Sequence, residues 1–400
     1  MVGNHGETQG GVLGGEPRTI GHPAILASMA LALLSGCAAG DPPSGAPGGT
    51  ISTPTPSSVT APASHSPPAS DESAEPSATP AWEEIELPPV EDLGDRLLAA
   101  IDLPGGVCDL TASDTSIWAT IRGEGRLVEI DAATNEVLRQ IDFEDGACAV
   151  AWADGSVWVA KHQDLIQHID RIDPVSGEVI GTIDFRLASS IFAMEAGPGG
   201  LWVLNRQRSE LYLVDTATTE IAETFEVGYG ASDMEVTDSV IWTTSDVVGG
   251  LLGLDPESGE TSVAPVDFPS GVAVDKRGLW AYVPIHHQLT LIDPLTLEQL
   301  VALRFDLETG SPETAAGAIW LPAEEGVLLA FHSGTATPGA VFAIPERIDT
   351  AKEALGDLWL YGSVSGLLRI EPGDIQPGEI IEARGPPDPV LTCSSCGRGY

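Results

Sequence analysis

The chain has 400 residues, 59 acidic and 18 basic, for a formal net charge of −41 and a pI near 4.2. That balance excludes a nucleic-acid binder, which needs clustered Lys and Arg for phosphates, and disfavours adhesion to anionic headgroups through a basic face. Gly and Pro together number 76, which argues against a helical bundle. No run of 18 apolar residues offers an ordinary membrane-spanning helix.

In chain order, 24–34 is a short apolar stretch, AILASMALALL, ending in Leu34-Ser35-Gly36-Cys37. Small residues before a Cys after such a stretch read as a secretory leader. The four residues resemble the lipobox of bacterial lipoproteins. The resemblance implies lipidation at Cys37 and attachment to the extracytoplasmic side of a cell membrane. The leader is poor in basic residues, with only Arg18 ahead of the apolar run. The reading assigns 1–36 to the signal peptide and 37–84 to a disordered tether. Within 38–80, Pro, Ser, Thr and Ala fill 32 of 43 positions without a Lys or Arg, too little apolar surface to offset chain entropy.

From 85 to 385 the sequence repeats. Seven tryptophans recur in one local context: Trp118, Trp158, Trp202, Trp242, Trp280, Trp320 and Trp359, spaced 40, 44, 40, 38, 40 and 39 residues apart. Each unit reads as a strand about ten residues before the Trp, the Trp strand, a strand ending in an apolar residue and Asp (Ile130-Asp131, Ile172-Asp173, Val214-Asp215), a tight turn such as DPVSGE, and a fourth strand. Four strands per 40 residues, with no helical period, predict an all-β fold: a seven-bladed β-propeller of four-stranded antiparallel blades. Closing the ring requires one blade to be completed from the far end of the chain. The segment LLAAIDL at 97–103 mimics the fourth strands VLRQIDF (137–143) and VIGTIDF (179–185) and is the favoured closure; EIIEA at 379–383 competes. Residues 386–400 form a tail carrying Cys393 and Cys396.

The units, with Val157-Trp158-Val159-Ala160, Leu201-Trp202-Val203-Leu204-Asn205 and the Asp-Pro-x-Ser-Gly-Glu turns, resemble the YVTN and virginiamycin B lyase-like propellers, within the quinohaemoprotein amine dehydrogenase β-chain-like group. The resemblance specifies architecture better than activity.

Cys108 and Cys148 each lie ten residues before a repeat Trp, so they occupy equivalent points on adjacent innermost strands. Such points approach within disulfide range, and an exported protein permits the bond. A ligand would meet the axial face. There the loops after the Trp strands gather bases in an otherwise acidic chain: Arg122, Lys161, His162, Arg206 and Arg208 are candidate contacts for an anionic ligand or acidic partner. Virginiamycin B lyase-like enzymes use a closely spaced Glu and His beside a metal, and this chain has no Glu-x-His. No catalytic residue is therefore assigned, and no cofactor. A divalent cation held by carboxylates, as in lactonase-type propellers, remains the one metal alternative. The expectation is a monomeric, lipid-anchored, non-catalytic platform for an envelope protein or small ligand. An envelope enzyme of lyase or lactonase type is the alternative.

Overall fold

The computed structural model describes residues 82–378, except 164–165, 186–189, 229, 246–248, 324–325, 345–347 and 363–365. Cys37, the leader, most of the tether, residues 379–383, Cys393 and Cys396 lie outside the described residues. Among those described, helix is limited to two single 3-10 turns, Gly94–Arg96 and Pro284–His286.

Seven sheets follow the repeat, six of them with their four repeat strands hydrogen-bonded in chain order. The first blade is Val107–Ala112, Ser116–Ile121, Arg126–Asp131 and Val137–Asp142. The seventh is Thr350–Ala354, Asp357–Tyr361 and Leu367–Ile370, and its outer strand is Leu97–Ile101, paired antiparallel with Leu367–Ile370. The N-terminal segment thus closes the ring, as its likeness to the fourth strands predicts. Two details exceed the sequence reading. Glu83–Glu84 adds a parallel fifth strand to the outer edge of blade 5, and Val90–Asp92 does the same on blade 6. The segment therefore crosses two blade edges before closing a third.

The repeat Trp is the pivot of each blade. Six of the seven are at most 1% exposed, and Trp242 is 3%. A buried indole N–H needs an acceptor. Trp158, Trp320 and Trp359 each donate to the carbonyl five residues earlier, at Ala153, Ala315 and Ala354, at 3.1–3.2 Å. Trp280 uses the Asp275 carboxylate at 3.0 Å instead. In these four blades the indole therefore ties the second strand to the end of the inner strand while filling the gap to the next blade; Trp118 fills the same gap with its Nε1 unpartnered among the described residues. Three arginines complete the arrangement. Arg139, Arg171 and Arg369 stack on Trp118, Trp158 and Trp359 and donate to carbonyls of the following blade, at Pro174, Thr216 and Ala132. In blades 1 to 5 an Asp at the end of the third strand caps the turn after it: Asp173 Oδ1 accepts from the N–H groups of Val175 and Ser176, and Asp131, Asp215, Asp255 and Asp293 repeat the pattern. These hydrogen bonds hold the carboxyls of Asp173, Asp255 and Asp293 below their ordinary range. They contribute stability above that range and lose it as pH falls through the lowered values.

Candidate functional site: the axial channel

The innermost strands ring the axis. The residue opposite each repeat Trp on the inner strand lies seven positions before it: Thr111, Ala151, Glu195, Glu235, Ala273, Glu313 and Lys352. Three carboxylates and one ammonium therefore share one level. Two residues earlier, blades 1 and 4 add Asp109 and Asp233. Each bridges to the next blade: Asp109 Oδ2 accepts from Val150 N–H at 2.9 Å, and Asp233 Oδ2 from Val272 N–H at 3.0 Å.

These side chains meet across the axis. Lys352 Nζ lies 3.5 Å from Asp109 Oδ1 and also feels Glu195 and Glu313, so blade 7 faces charges from blades 1, 3 and 6. Tyr361 OH donates to Asp109 Oδ1 at 3.3 Å. Lys352 keeps 34% of its side chain exposed and Asp109 18%, so the channel admits water even though protein surrounds both groups. Enclosure still disfavours charge. It pushes Glu195 up to about 7, Asp233 to about 6 and Glu313 to about 8, with Lys352 opposing the rise in each case. Burial, reinforced by Glu195, Glu313 and Asp233, lifts Glu235 well above its ordinary range. Among the described residues the Glu235 carboxylate has no hydrogen-bond or ion-pair partner. The opposite holds for Lys352, whose carboxylate neighbours raise its value and keep it charged despite burial.

A carboxyl raised in the fold binds a proton that the unfolded chain has already released. Stability from these groups is therefore full below the ordinary carboxylate range and declines as pH rises through about 6, 7 and 8. We expect the melting temperature to fall between pH 5 and 9, a loss of roughly 2–4 kcal/mol once water in the channel is allowed for. Glu313→Gln should flatten the upper part of that profile. An identical slope in thermal melts of the variant would remove Glu313 from the account.

The predicted basic arc is placed differently from the channel. Lys161 lies within strand Ser156–Gln163 and pairs with Asp170 at 2.6 Å, with both side chains largely buried. Arg208 pairs with Glu210 at 2.6 Å, and Glu210 also accepts from Tyr212 OH. Arg206 is exposed and stacks on Phe192, with its Cζ 5.4 Å from the ring centre. Arg122 is exposed, and its backbone N–H is bonded to Gly106. The His162 backbone pairs with Gln167 and Gly146; its side chain lies outside the described set. Two of the five bases are thus neutralised within their own blades. Among the described residues no three His, Cys, Asp or Glu side chains converge closely enough to hold a metal ion. His168 pairs with Asp184, and His332 with Thr335. Cys108 and Cys148 form a disulfide, with Cα atoms 5.2 Å apart, joining the inner strands of blades 1 and 2.

Comparison with known proteins gives no family: no family model matches the sequence, and no curated protein is significantly similar to it. The fold is a seven-bladed β-propeller. Sequence reasoning missed the channel groups. Their signal is a constant offset, seven and nine residues before each repeat Trp.

Proposed function

We propose that this protein is a bacterial lipoprotein, anchored by lipid at Cys37 on the extracytoplasmic side of the membrane, whose propeller is a monomeric, non-catalytic binding platform. The YVTN and virginiamycin B lyase-like resemblance supports the architecture and gives no activity. The observation carrying the reading is the axial channel. Five carboxylates and one ammonium line a water-accessible passage that apolar side chains could have closed. A cationic amine would draw these raised carboxyls into their charged form, so the channel favours a ligand with an amine group. The test is calorimetric titration of the full chain with spermidine as probe. Binding should weaken about tenfold or more in the Glu195→Gln, Glu235→Gln, Glu313→Gln triple variant and persist in Arg206→Glu, Arg208→Glu. Equal affinity in the triple variant would reject the channel. Metabolic labelling with a fatty-acid analogue, lost in Cys37→Ala, tests the anchor separately.

A second reading rests on the raised carboxyls. A carboxylic acid still protonated near neutrality can serve as a general acid, and perturbed groups gather at catalytic sites. Turnover of a lactone panel that disappears in Glu313→Gln would establish an enzyme.

A further inference from the structure

A cleft of about 690 Å³ opens between blades 4 and 5, away from the channel. Val266, Val283 and Leu297 supply apolar wall, and Arg304 lies in it. The guanidinium is fixed on two sides. Gln288, directly opposite Arg304 in the ladder and 8% exposed, accepts from Nε at 2.9 Å, and its own amide donates to Thr290 at 2.8 Å. Trp82 covers one face, with the Arg304 Cζ 4.1 Å from the ring centre. Pairing of Glu84 with Arg304, and the Ile85 N–H bonded to the Arg304 carbonyl at 2.9 Å, bring Trp82 to that position.

The other strand arginines all meet a carboxylate: Arg126 with Asp142, Arg139 with Glu129, Arg171 with Asp154, and Arg369 with Asp357. Arg304 forms no ion pair among the described residues, and its terminal Nη groups have no hydrogen-bond partner there. Burial lowers its basicity, and Glu84 opposes that only through space. A half-buried cation without a partner is costly unless something else satisfies it. Its stacked face and anchored Nε leave the Nη edge as the reactive side, the edge that grips a carboxylate with two parallel bonds.

We propose that this cleft binds a small organic monocarboxylate, with its carboxylate on the Arg304 Nη edge and its apolar body against Val266, Val283 and Leu297. Asp267 and Glu298 also line the cleft and disfavour a second negative charge on the ligand. The site is separate from the axial channel and independent of how the channel is used.

Ligand-observed NMR on the full chain, with benzoate and hexanoate as probes and benzyl alcohol as neutral control, tests the proposal. Both carboxylates should bind saturably and outcompete the alcohol. Arg304→Gln should weaken them about tenfold or more, and Arg304→Lys, which keeps the charge and loses the fork, should weaken them by a smaller factor. Glu313→Gln should leave the affinity unchanged. Benzoate binding should shift tryptophan fluorescence in wild type and not in Trp82→Phe. Absence of binding to wild type, equal binding of benzyl alcohol, or undiminished affinity in the two Arg304 variants would overturn the assignment.

Discussion

A chain beginning at residue 104 is expected not to form a monomeric ring. Without Leu97–Ile101, blade 7 keeps three strands and the edge of Leu367–Ile370 loses its partner. Ile101 and Leu103 also leave a core that includes Val107, Leu110, Trp359 and Leu367. Truncating a buried Ile or Leu alone costs about 2–5 kcal/mol, so losing both sides of this contact consumes much of an ordinary domain's stability. The bared edge would also pair with other copies. Size exclusion should show aggregate where the full chain elutes as one species. A chain beginning at residue 93 gives the contrast. It loses the short parallel strands on blades 5 and 6, with Ile85 and Leu87 from the core beside them and the Trp82 stack, but keeps all seven four-stranded blades, so it should be less stable and still elute as a folded monomer. If the two truncations behaved alike, closure by 97–101 would not be what holds the ring.

Cys108→Ser, Cys148→Ser is expected to lower stability by about 4 kcal/mol. The bond spans 40 residues, and the entropy of closing a loop of that length in the unfolded chain gives this figure. For a domain of this size the melting temperature should fall by about 5–10 °C. Reductant should produce the same drop in the wild type and none in the variant. Non-reducing digestion should recover a linked peptide containing both cysteines. Two free thiols in the purified protein would remove the bond and the expected loss. The bond joins the inner strands of blades 1 and 2; between the inner strands of blades 7 and 1 the link is the Lys352–Asp109 pair at 3.5 Å.

The sequence made the architecture legible because each unit solves the same packing problem with the same side chain. A buried indole that must reach a carbonyl on the inner strand tolerates little drift, so Trp158, Trp320 and Trp359 keep both their context and their hydrogen bond. The cysteine pair was legible for a related reason: equal offsets from the Trp place both residues at one height on neighbouring strands. The channel was not legible by the same route. Its side chains differ from blade to blade, running Thr111, Ala151, Glu195, Glu235, Ala273, Glu313 and Lys352. A search for recurring chemistry passes over them, since only their position recurs. The basic arc shows the converse. Arg208 and Lys161 stand out in an acidic chain, yet Glu210, two residues on, neutralises the first, and Asp170, from the adjoining strand, the second. The Lys161–Asp170 pairing depends on ladder register, which charge counting does not contain. Arg304 escaped notice because its meaning lies in what is missing beside it.

The path of residues 82–101 has a mechanical consequence. Tension entering at Trp82 would act first on its stack with Arg304, then on the two-residue contact of blade 5, then on Val90–Asp92 along blade 6. Only after those had ripped would load arrive at Leu97–Ile101, the bonds that keep the wheel shut. The two short parallel strands would thereby act as sacrificial links, taking up a pull from the N-terminal side before it could spring the ring.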